Sequence, residues 1–348
     1  MSTAGQSPPD EPGVVATPVG SAGGASPMPA PPASGRGRPG LSLALPSFAE
    51  EDPGSWEPLL ALASAAERAG VERLIVSDHV VFGEHLEAYS RPELGGIAGG
   101  SQPTGPDGHW LEPLTLLAVV AGLTRRIRLS TGILLAALRR PAVLAKAAAT
   151  LDVLSEGRLE LGVGVGWQRE EYDAAGLDFA RRGRLLDETL EICQALWREP
   201  VVRLRAGPLA AGPFHAMPKP RQAGGVPIWV SGRLNAAVVR RVVRFGSGWI
   251  PWGDEARDPL PGVGILGRAL EEAGRDPSSL AVRANLAVRR DDSGRIDPAR
   301  TMGRVAPLLE GGITDFRLHD PALPAEPEAA GEQLAEVAAA FAAAVAAG

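Results

Sequence analysis

Asp78 and His79 are the residues whose types and position point most directly to chemistry. They come directly after an apolar run that contains Leu74, Ile75 and Val76 and has the composition of a buried strand. An imidazole at a strand end can exchange a proton near neutral pH, so His79 and its neighbour Asp78 are candidate catalytic residues. The alternative is a hydrogen-bonded structural histidine.

A second candidate segment has glycine at every other position, at Gly162, Gly164 and Gly166, and continues into Trp167. The spacing does not match the dinucleotide-binding fingerprint, because the third glycine comes one position too early. Glycines at the end of a strand remove side chains, so that a flat ring or a phosphate can approach the backbone. The alternative is that these glycines serve close packing alone.

Ser231, Gly232 and Arg233 form a third candidate site, between an apolar run and a segment of helical period that starts near Asn235. A hydroxyl, bare backbone and a guanidinium at the start of a helix are the chemistry of an anion site. The alternative is a helix cap with a solvated arginine.

Other classes of site lack the residues that they need. The other histidines share no metal-ligand spacing, and the single cysteine, Cys193, excludes a multi-cysteine metal site and an intramolecular disulfide. Neither a Gly-x-Ser-x-Gly elbow nor a Gly-Lys-Ser/Thr phosphate loop occurs. With 35 Lys and Arg against 41 Asp and Glu, a net charge of -6 and no dense basic cluster, we expect no binding to nucleic acid.

The composition also predicts where the protein works. No stretch reaches the roughly 18 consecutive apolar residues of a membrane-spanning helix, and the N-terminus lacks the order of a signal peptide. We therefore expect a cytoplasmic protein without membrane contact. Residues 1–40 are rich in Pro and Gly and predict a disordered tail, and residues 41–348 predict a single folded domain.

Short apolar runs that alternate with helical segments must position the candidate residues. Eight such strand-and-helix units predict an α/β protein with a (β/α)₈ TIM barrel, whose active site lies at the C-terminal ends of the strands. Long insertions follow the second strand, over residues 80–110, and the fourth helix, over residues 200–225, and we expect the first to arch over the barrel mouth. The predicted strands are residues 41–45, 71–77, 127–134, 159–163, 226–230, 248–251, 280–288 and 314–318.

Residues 140–158 carry the most specific resemblance to a known family. They read RPAVLAKAAATLDVLSEGR and are followed by the glycine-rich strand and Trp167. On this segment the chain resembles the luciferase-like monooxygenases, and within them the branch that uses the deazaflavin coenzyme F420. The resemblance covers roughly residues 41–320. Its supporting pieces are Ser77-Asp78-His79, Thr131-Gly132-Ile133, Arg182-Gly183-Arg184, Leu196-Trp197, Pro218-Lys219-Pro220 and Pro227-Ile228-Trp229-Val230.

The resemblance implies a (β/α)₈ barrel that binds F420 or FMN at its C-terminal mouth. By analogy, His79 would lie beside the reactive edge of the ring and Asp78 would orient it. A cis peptide bond at Gly132-Ile133 would lie behind the ring. The implied cofactor-binding residues are Thr131, Gly132, Ile133, Gly164, Val165, Gly166 and Trp167 for the ring and ribityl chain, and Ser231, Gly232 and Arg233 for the phosphate.

The implied function is hydride transfer between F420 and a small organic substrate. One alternative is an FMN-dependent monooxygenase that takes reduced flavin from a separate reductase and uses O₂, and another is a barrel that binds a ligand without catalysis. The resemblance also implies a homodimer formed through barrel helices. The sequence departs from the family at Ser231, where a glycine is usual, and at Ser247, where an aspartate is usual, which leaves a helix-to-strand turn without its usual acceptor.

Overall fold

The computed structural model describes residues 39–204, 211–319 and 322–348. The prediction of a disordered tail therefore falls, except for its last two residues, outside the described residues. The strands are β1 (Gly40–Ala44), β2 (Phe48–Ala49), β3 (Arg73–Val76), β4 (His109–Trp110), β5 (Arg128–Thr131), β6 (Leu159–Val163), β7 (Val202–Leu204), β8 (Ala211–Phe214), β9 (Ile228–Gly232), β10 (Gly248–Pro251), β11 (Ala281–Ala287) and β12 (Asp315–His319).

Eight of these strands close into a parallel barrel in the order β1-β3-β5-β6-β9-β10-β11-β12, and β12 pairs again with β1. The predicted TIM barrel is thus confirmed. All eight predicted strands are present, but β5 ends at Thr131 rather than at residue 134. Beyond the strand, Leu134 forms only an isolated bridge with Val163.

Most of the helices cover the outside of the barrel, and the short helix over Arg169–Ala174 lies at its mouth. They are α1 (Glu57–Ala69), α2 (Pro113–Leu123), α3 (Pro141–Leu154), α4 (Arg169–Ala174), α5 (Arg182–Arg198), α6 (Ala236–Phe245), α7 (Leu260–Glu272), α8 (Pro298–Thr301), α9 (Val305–Glu310) and α10 (Pro327–Ala347). The short α4 was not predicted. A 3₁₀ turn at Met302–Arg304 separates α8 from α9.

Both insertions contain short strands. In the insertion after β3, β4 pairs antiparallel with β2, and two 3₁₀ turns precede it, at Leu86–Ser90 and Pro92–Leu94. In the insertion after α5, β7 and β8 form an antiparallel pair, and the residues between them lie outside the described part of the chain. The first insertion carries three aromatic side chains, those of Phe82, Tyr89 and Trp110.

The interior of the barrel holds a network of ion pairs. Arg73 Nε donates to Glu160 Oε2 at 2.6 Å, and Arg73 also pairs with Asp315. Asp315 in turn accepts from Arg283 and from the hydroxyl of Ser42. Burial alone would raise the pKa of Asp315, but the two guanidinium groups outweigh it and lower the pKa. The guanidinium groups therefore favour the ionised form of Asp315, and the network links β6 and β12 from opposite sides of the barrel.

The turn at Ser247 is well formed although the family's aspartate is absent. The backbone N–H of Ser247 donates to the carbonyl of Ile228 at 2.7 Å, and its carbonyl accepts from Ala281 N–H at 3.0 Å. Arg275 donates to the carbonyls of Val243 and Gly246 at 2.6 and 2.9 Å, so it caps the end of α6. Backbone pairing and this arginine define the turn.

Helix α10 is the one helix among the described residues that is long and apolar enough to cross a membrane, with a mean hydropathy of 1.2. It packs against α1 and buries Leu334, Val337 and Phe341. The ring of Phe341 lies 5.4 Å from that of Phe316 in β12, so this helix covers the barrel as the other helices do.

Glu67, near the end of α1, fixes the turn that leads into β5. Its carboxylate accepts from the backbone N–H groups of Arg125, Arg126 and Ile127 at 2.7 to 3.1 Å. Burial raises the pKa of Glu67, but the three N–H donors outweigh it, so the pKa lies below its ordinary value. The ionised form thus stabilises the fold.

We predict that Glu67→Gln lowers the free energy of unfolding by about 1 kcal/mol at pH 7, since charged hydrogen bonds are lost at a partly exposed site. Because the folded pKa is depressed, this stabilisation is fully present above the pKa of the unfolded chain and is lost as the pH falls through the folded pKa. Urea unfolding at pH 7 and pH 3.5 measures it. Glu271→Gln, at an exposed helical glutamate, is the control; equal effects of the two variants would contradict the assignment.

Candidate active site

A shelf of backbone lies at the barrel mouth, where β5 ends. The peptide bond between Gly132 and Ile133 is cis, as the resemblance implied. Gly132 N–H donates to the carbonyl of Val76 at 2.8 Å, and Leu134 N–H donates to the carbonyl of Gly162 at 2.7 Å. The chain therefore stays attached to β3 and β6 after the strand has ended.

The side chains beside the shelf have different roles. Thr131 is fully buried, and its hydroxyl donates to the carbonyl of Gly162 at 2.7 Å, so it joins two strands. Ile133 packs against Gly164, because a Cβ at Gly164 would lie only 3.0 Å from Ile133 Cδ1. Thr131 and Ile133 are the predicted cofactor-binding residues of the shelf that carry a side chain. Only Ile133 lies over the end of the neighbouring strand, β6.

The segment after β6 is packed tightly against the loop that follows the shelf. Gly166 has a φ of +70°, and a Cβ there would lie 2.7 Å from Leu135 Cδ2. The carbonyl of Val165 accepts from the hydroxyl of Tyr172 at 2.7 Å. Close packing thus accounts for these contacts, and Trp167 is the side chain of the segment that meets the aromatic rings of the mouth.

Asp78 holds the loop after β5. Its Oδ2 accepts from Leu135 N–H at 2.8 Å and from Arg139 Nη1 at 2.6 Å, and its Oδ1 accepts from Arg139 Nη2 at 3.1 Å. Arg139 also donates to Glu112, at the start of α2, at 2.8 Å. Among the described residues no hydrogen bond joins Asp78 to His79. The structure therefore does not place Asp78 as the residue that orients His79, because its carboxylate is engaged elsewhere.

His79 is held by Glu171, a residue of α4 that sequence reasoning missed. Its Nδ1 lies 3.3 Å from Glu171 Oε1, which also accepts from Val80 N–H at 2.9 Å. Glu171 is 1% exposed, and its Oε2 has no hydrogen-bond partner in the described part of the chain. When Nδ1–H donates to this carboxylate, Nε2 is the nitrogen that remains for a ligand.

Aromatic rings surround the imidazole. The ring centroid of His79 lies 4.3 Å from Phe82, 4.8 Å from Trp110 and 6.1 Å from Trp167. The pairing of β2 with β4 stacks Phe48 on Trp110 at 4.5 Å and so positions the tryptophan. The His79 side chain is only 11% exposed, and the enclosure excludes most water from it.

Residues 80–110 cross the mouth from β3 to the far side of the barrel. The ring of Tyr89 lies 5.3 Å from Trp167 and 6.3 Å from Trp252, which follows β10. Trp252 Nε1 donates to the carbonyl of Gly95 at 2.9 Å. Burial raises the pKa of Tyr89, and nearby Arg317 opposes the rise. This insertion therefore covers the ends of β6 and β10.

The predicted anion site lies at the end of β9. Ser231 and Gly232 are its last residues, and the carbonyl of Gly232 accepts from Trp249 Nε1 at 3.1 Å. The Arg233 side chain is 43% exposed, and its Nη2 lies 3.5 Å from a carboxylate oxygen of the exposed Asp254. An exposed ion pair of this length is weak, so it leaves the guanidinium accessible to another anion.

The start of α6 is partly occupied by protein acceptors. The side chain of Asn235 accepts from two backbone N–H groups of the first turn at 3.0 Å. Leu234 N–H donates to Glu255 Oε1 at 3.1 Å, and this carboxylate brings negative charge. Fewer backbone N–H groups are therefore available to an anion than the sequence indicated. The side chains of Ser231 and Arg233 are the main donors that remain for it.

The structure thus brings His79, Trp167 and the Gly132-Ile133 shelf together at one mouth. Ser231 lies beside Ile250 in the barrel register, two strands from β5. Among the described residues no group of three or more His, Cys, Asp or Glu side chains could hold a metal ion.

Comparison with curated proteins finds relatives in mycobacteria. An uncharacterised protein of Mycobacterium tuberculosis is 32% identical over 216 residues, which cover 62% of this chain and 74% of that protein. The phthiodiolone/phenolphthiodiolone dimycocerosates ketoreductase of Mycobacterium kansasii is 34% identical over 239 residues, which cover 66% of this chain and 63% of that protein.

Solved structures share the fold at low sequence identity. The monooxygenase RslO1 from Streptomyces bottropensis has a TM-score of 0.68 at 20% identity and covers 87% of this chain and 99% of its own. An F420-dependent secondary alcohol dehydrogenase bound to an F420-acetone adduct has a TM-score of 0.64 at 17% identity, covering 86% and 99%. The FMN-bound oxygenating constituent of 3,6-diketocamphane monooxygenase from Pseudomonas putida has a TM-score of 0.64 at 18% identity, covering 88% and 98%.

These structural likenesses establish the fold, and neighbours that use F420 and neighbours that use FMN occur among them. The family described as luciferase-like monooxygenase matches residues 40–346, which include nearly all of the described chain. The chain therefore belongs to the luciferase-like monooxygenase family.

Proposed function

We propose that the protein transfers a hydride between coenzyme F420 and a small organic substrate, a ketone and its secondary alcohol. The observation that carries the proposal is the position of His79. The buried carboxylate of Glu171 holds one of its ring nitrogens, and aromatic rings enclose the imidazole at the barrel mouth. The names of a relative, a ketoreductase, and of a fold neighbour, an F420-dependent secondary alcohol dehydrogenase, support carbonyl chemistry.

The residues of the chain supply the proton and the surroundings of the reaction. Reduced coenzyme F420, when bound, supplies the hydride. His79 donates a proton from Nε2 to the carbonyl oxygen of the substrate, and accepts it in the direction of alcohol oxidation. Glu171 keeps the other ring nitrogen in place and balances the charge of the imidazolium. Phe82 and Trp110 keep water away from the reacting carbon.

The residues at the mouth fit a flat ring with a phosphate-bearing tail. Ile133, Gly164 and Trp167 would contact the ring, and Ser231 and Arg233 would hold the phosphate. Two buried donors inside the barrel, on side chains of β9 and β11, have no hydrogen-bond partner in the described part of the chain. Unpaired buried donors are costly, so a ligand with acceptor atoms suits this site.

The second candidate is an FMN-dependent monooxygenase that uses O₂ and reduced flavin from a separate reductase. The FMN-bound fold neighbour favours it, because its ring occupies the same kind of barrel. The homodimer, the reductase partner and the cytoplasmic location stay predictions.

Fluorescence titration with F420 and with FMN tests the choice of cofactor. We expect F420 to bind at least about tenfold more tightly, a difference of about 1.4 kcal/mol, and the loaded protein to reduce ketones without consuming O₂. Tight FMN binding together with O₂ uptake coupled to product formation would replace the proposal by the monooxygenase. Binding of a ring without turnover of ketones, alcohols or O₂ would leave a non-catalytic barrel.

Substitution of His79 and Glu171 tests the proton transfer. We expect His79→Ala to lower kcat by at least about 100-fold, since general acid-base catalysis is lost. Glu171→Gln should lower kcat by roughly 10- to 100-fold, because an amide does not select one imidazole tautomer. The Kd for F420 should change little in either variant. Glu170→Gln, at the neighbouring carboxylate of the same helix, is the control and should keep full activity; unchanged turnover in His79→Ala removes His79 from the mechanism.

Substitution of Arg233 tests the phosphate anchor. We expect Arg233→Ala to weaken F420 binding by about 1.5 kcal/mol, the lower end for a charged hydrogen bond, because the side chain is 43% exposed. A dephosphorylated deazaflavin should bind both proteins equally. Arg257→Ala is a matched control, since Arg257 pairs with the same Asp254 at 3.6 Å. Equal losses for both ligands, or no loss, would place the phosphate elsewhere.

A further inference from the structure

Arg283 of β11 is a buried arginine whose terminal guanidinium nitrogens, called its open end below, have no hydrogen-bond partner among the described residues. It is 2% exposed, and its Nε donates to Asp315. Its Nη2 is buried and has no hydrogen-bond partner among the described residues. No hydrogen bond from Nη1 to any of these residues occurs either. One nitrogen of this guanidinium is thus engaged, and the terminal nitrogens are left to other acceptors.

Arg73, in the same ion network, shows the contrast. Its Nε and Nη2 donate to Glu160 at 2.6 and 3.4 Å, and its Nη1 donates to Ser42 at 3.2 Å and to Asp315. The network therefore supplies acceptors for every nitrogen of one arginine and for a single nitrogen of the other. A buried charged donor without an acceptor costs free energy, so the open end of Arg283 indicates that an acceptor comes from outside the chain.

The open end lies under the shelf. Arg283 is the third residue of β11, yet its Nη1 lies 3.7 Å from the position that a Cβ would take at Gly132, beyond the end of β5. The guanidinium therefore reaches from the inner ion pair up to the residue that forms the cis peptide bond. Gly132 itself carries no side chain at this point, and Ile75 Cγ2 of β3 is the side-chain atom nearest to the position that a Cβ would take.

A second buried donor accompanies it. The Nε1 of Trp229 has no hydrogen-bond partner in the described residues, and its ring lies 5.1 Å from the guanidinium carbon of Arg283. Trp229 also belongs to the small apolar cluster against which Ile133, the second residue of the cis peptide, is packed. The two unpaired donors thus lie on the inner side of the shelf.

We propose that Arg283 and Trp229 form an acceptor-binding subsite inside the barrel, which receives a carbonyl or oxyanion oxygen of the bound cofactor ring. This inference rests on the proposed function for the identity of the ring. A fixed positive charge at the acceptor edge stabilises the reduced ring, which carries more negative charge, over the oxidised ring. Arg283 therefore tightens binding and raises the reduction potential of the cofactor.

Arg283→Met, of similar volume, and Trp229→Phe, which removes the indole N–H and leaves a smaller aromatic ring, test the subsite in the full chain. We expect the Kd of reduced ring to rise roughly 10- to 100-fold in Arg283→Met and roughly threefold in Trp229→Phe. The ratio of the dissociation constants of reduced and oxidised ring should change by about tenfold in Arg283→Met, which is about 30 mV for a two-electron couple. Fluorescence titration and equilibration with a redox dye measure these quantities, with F420 and FMN as separate probes.

The outcomes separate the two proposals. If wild-type protein binds neither ring, the proposed function fails. If it binds one ring, and both variants bind that ring with unchanged affinity and potential, the donors are satisfied by water alone and the subsite is overturned. Circular dichroism shows whether each variant is folded; should Arg283→Met not fold, Trp229→Phe decides, since the aromatic ring stays in the apolar cluster.

Discussion

The buried carboxylate of Asp78 joins three loops at the barrel mouth, and the rest of the site depends on it. Through Leu135 N–H and Arg139 it holds the segment that follows the cis peptide, and Arg139 continues to Glu112 at the start of α2. A charged, bidentate pair in a buried position fixes geometry more strongly than neutral contacts do. Because Asp78 anchors the backbone here, the next residue starts from a fixed position, and Glu171 then orients the imidazole of His79.

The barrel contains two chemically different layers. The inner layer is ionic, with Arg73, Arg283, Glu160 and Asp315 in one network. The mouth is aromatic and mostly apolar, and its few polar atoms are held by buried partners. Such a division would suit the proposed hydride transfer, because a dry layer would protect the reacting carbon while the charged layer below would stabilise the charge of a bound ring.

More of the fold than of the candidate site could be predicted from the sequence. Alternation of apolar runs and helical segments located all eight barrel strands, since each strand buries one face against helices and that pattern is local in sequence. The end of β5 was placed too late because residues 132–134 continue the apolar run, although the strand ends at Thr131. Glu171 was missed because it lies beside Glu170 in a short polar segment, where the two glutamates look alike. The helical geometry of α4 buries Glu171 and leaves Glu170 partly exposed. The partner of Asp78 lies 61 residues away and has no local signal.

Closure of the barrel links the two ends of the folded chain. Ser42 in β1 and Asp315 in β12 are 273 positions apart, and Asp315 is an acceptor for both Arg73 and Arg283. Until β12 docks, Arg73 and Arg283 lack this shared carboxylate, and Glu160, the other acid of the network, pairs with Arg73 and with Arg128. An incomplete barrel is therefore electrostatically frustrated and keeps its interior hydrated, so partly folded forms gain little from collapse. Contacts of such long range also make folding slow and cooperative, since the strand translated last neutralises the charges of the strands translated before it.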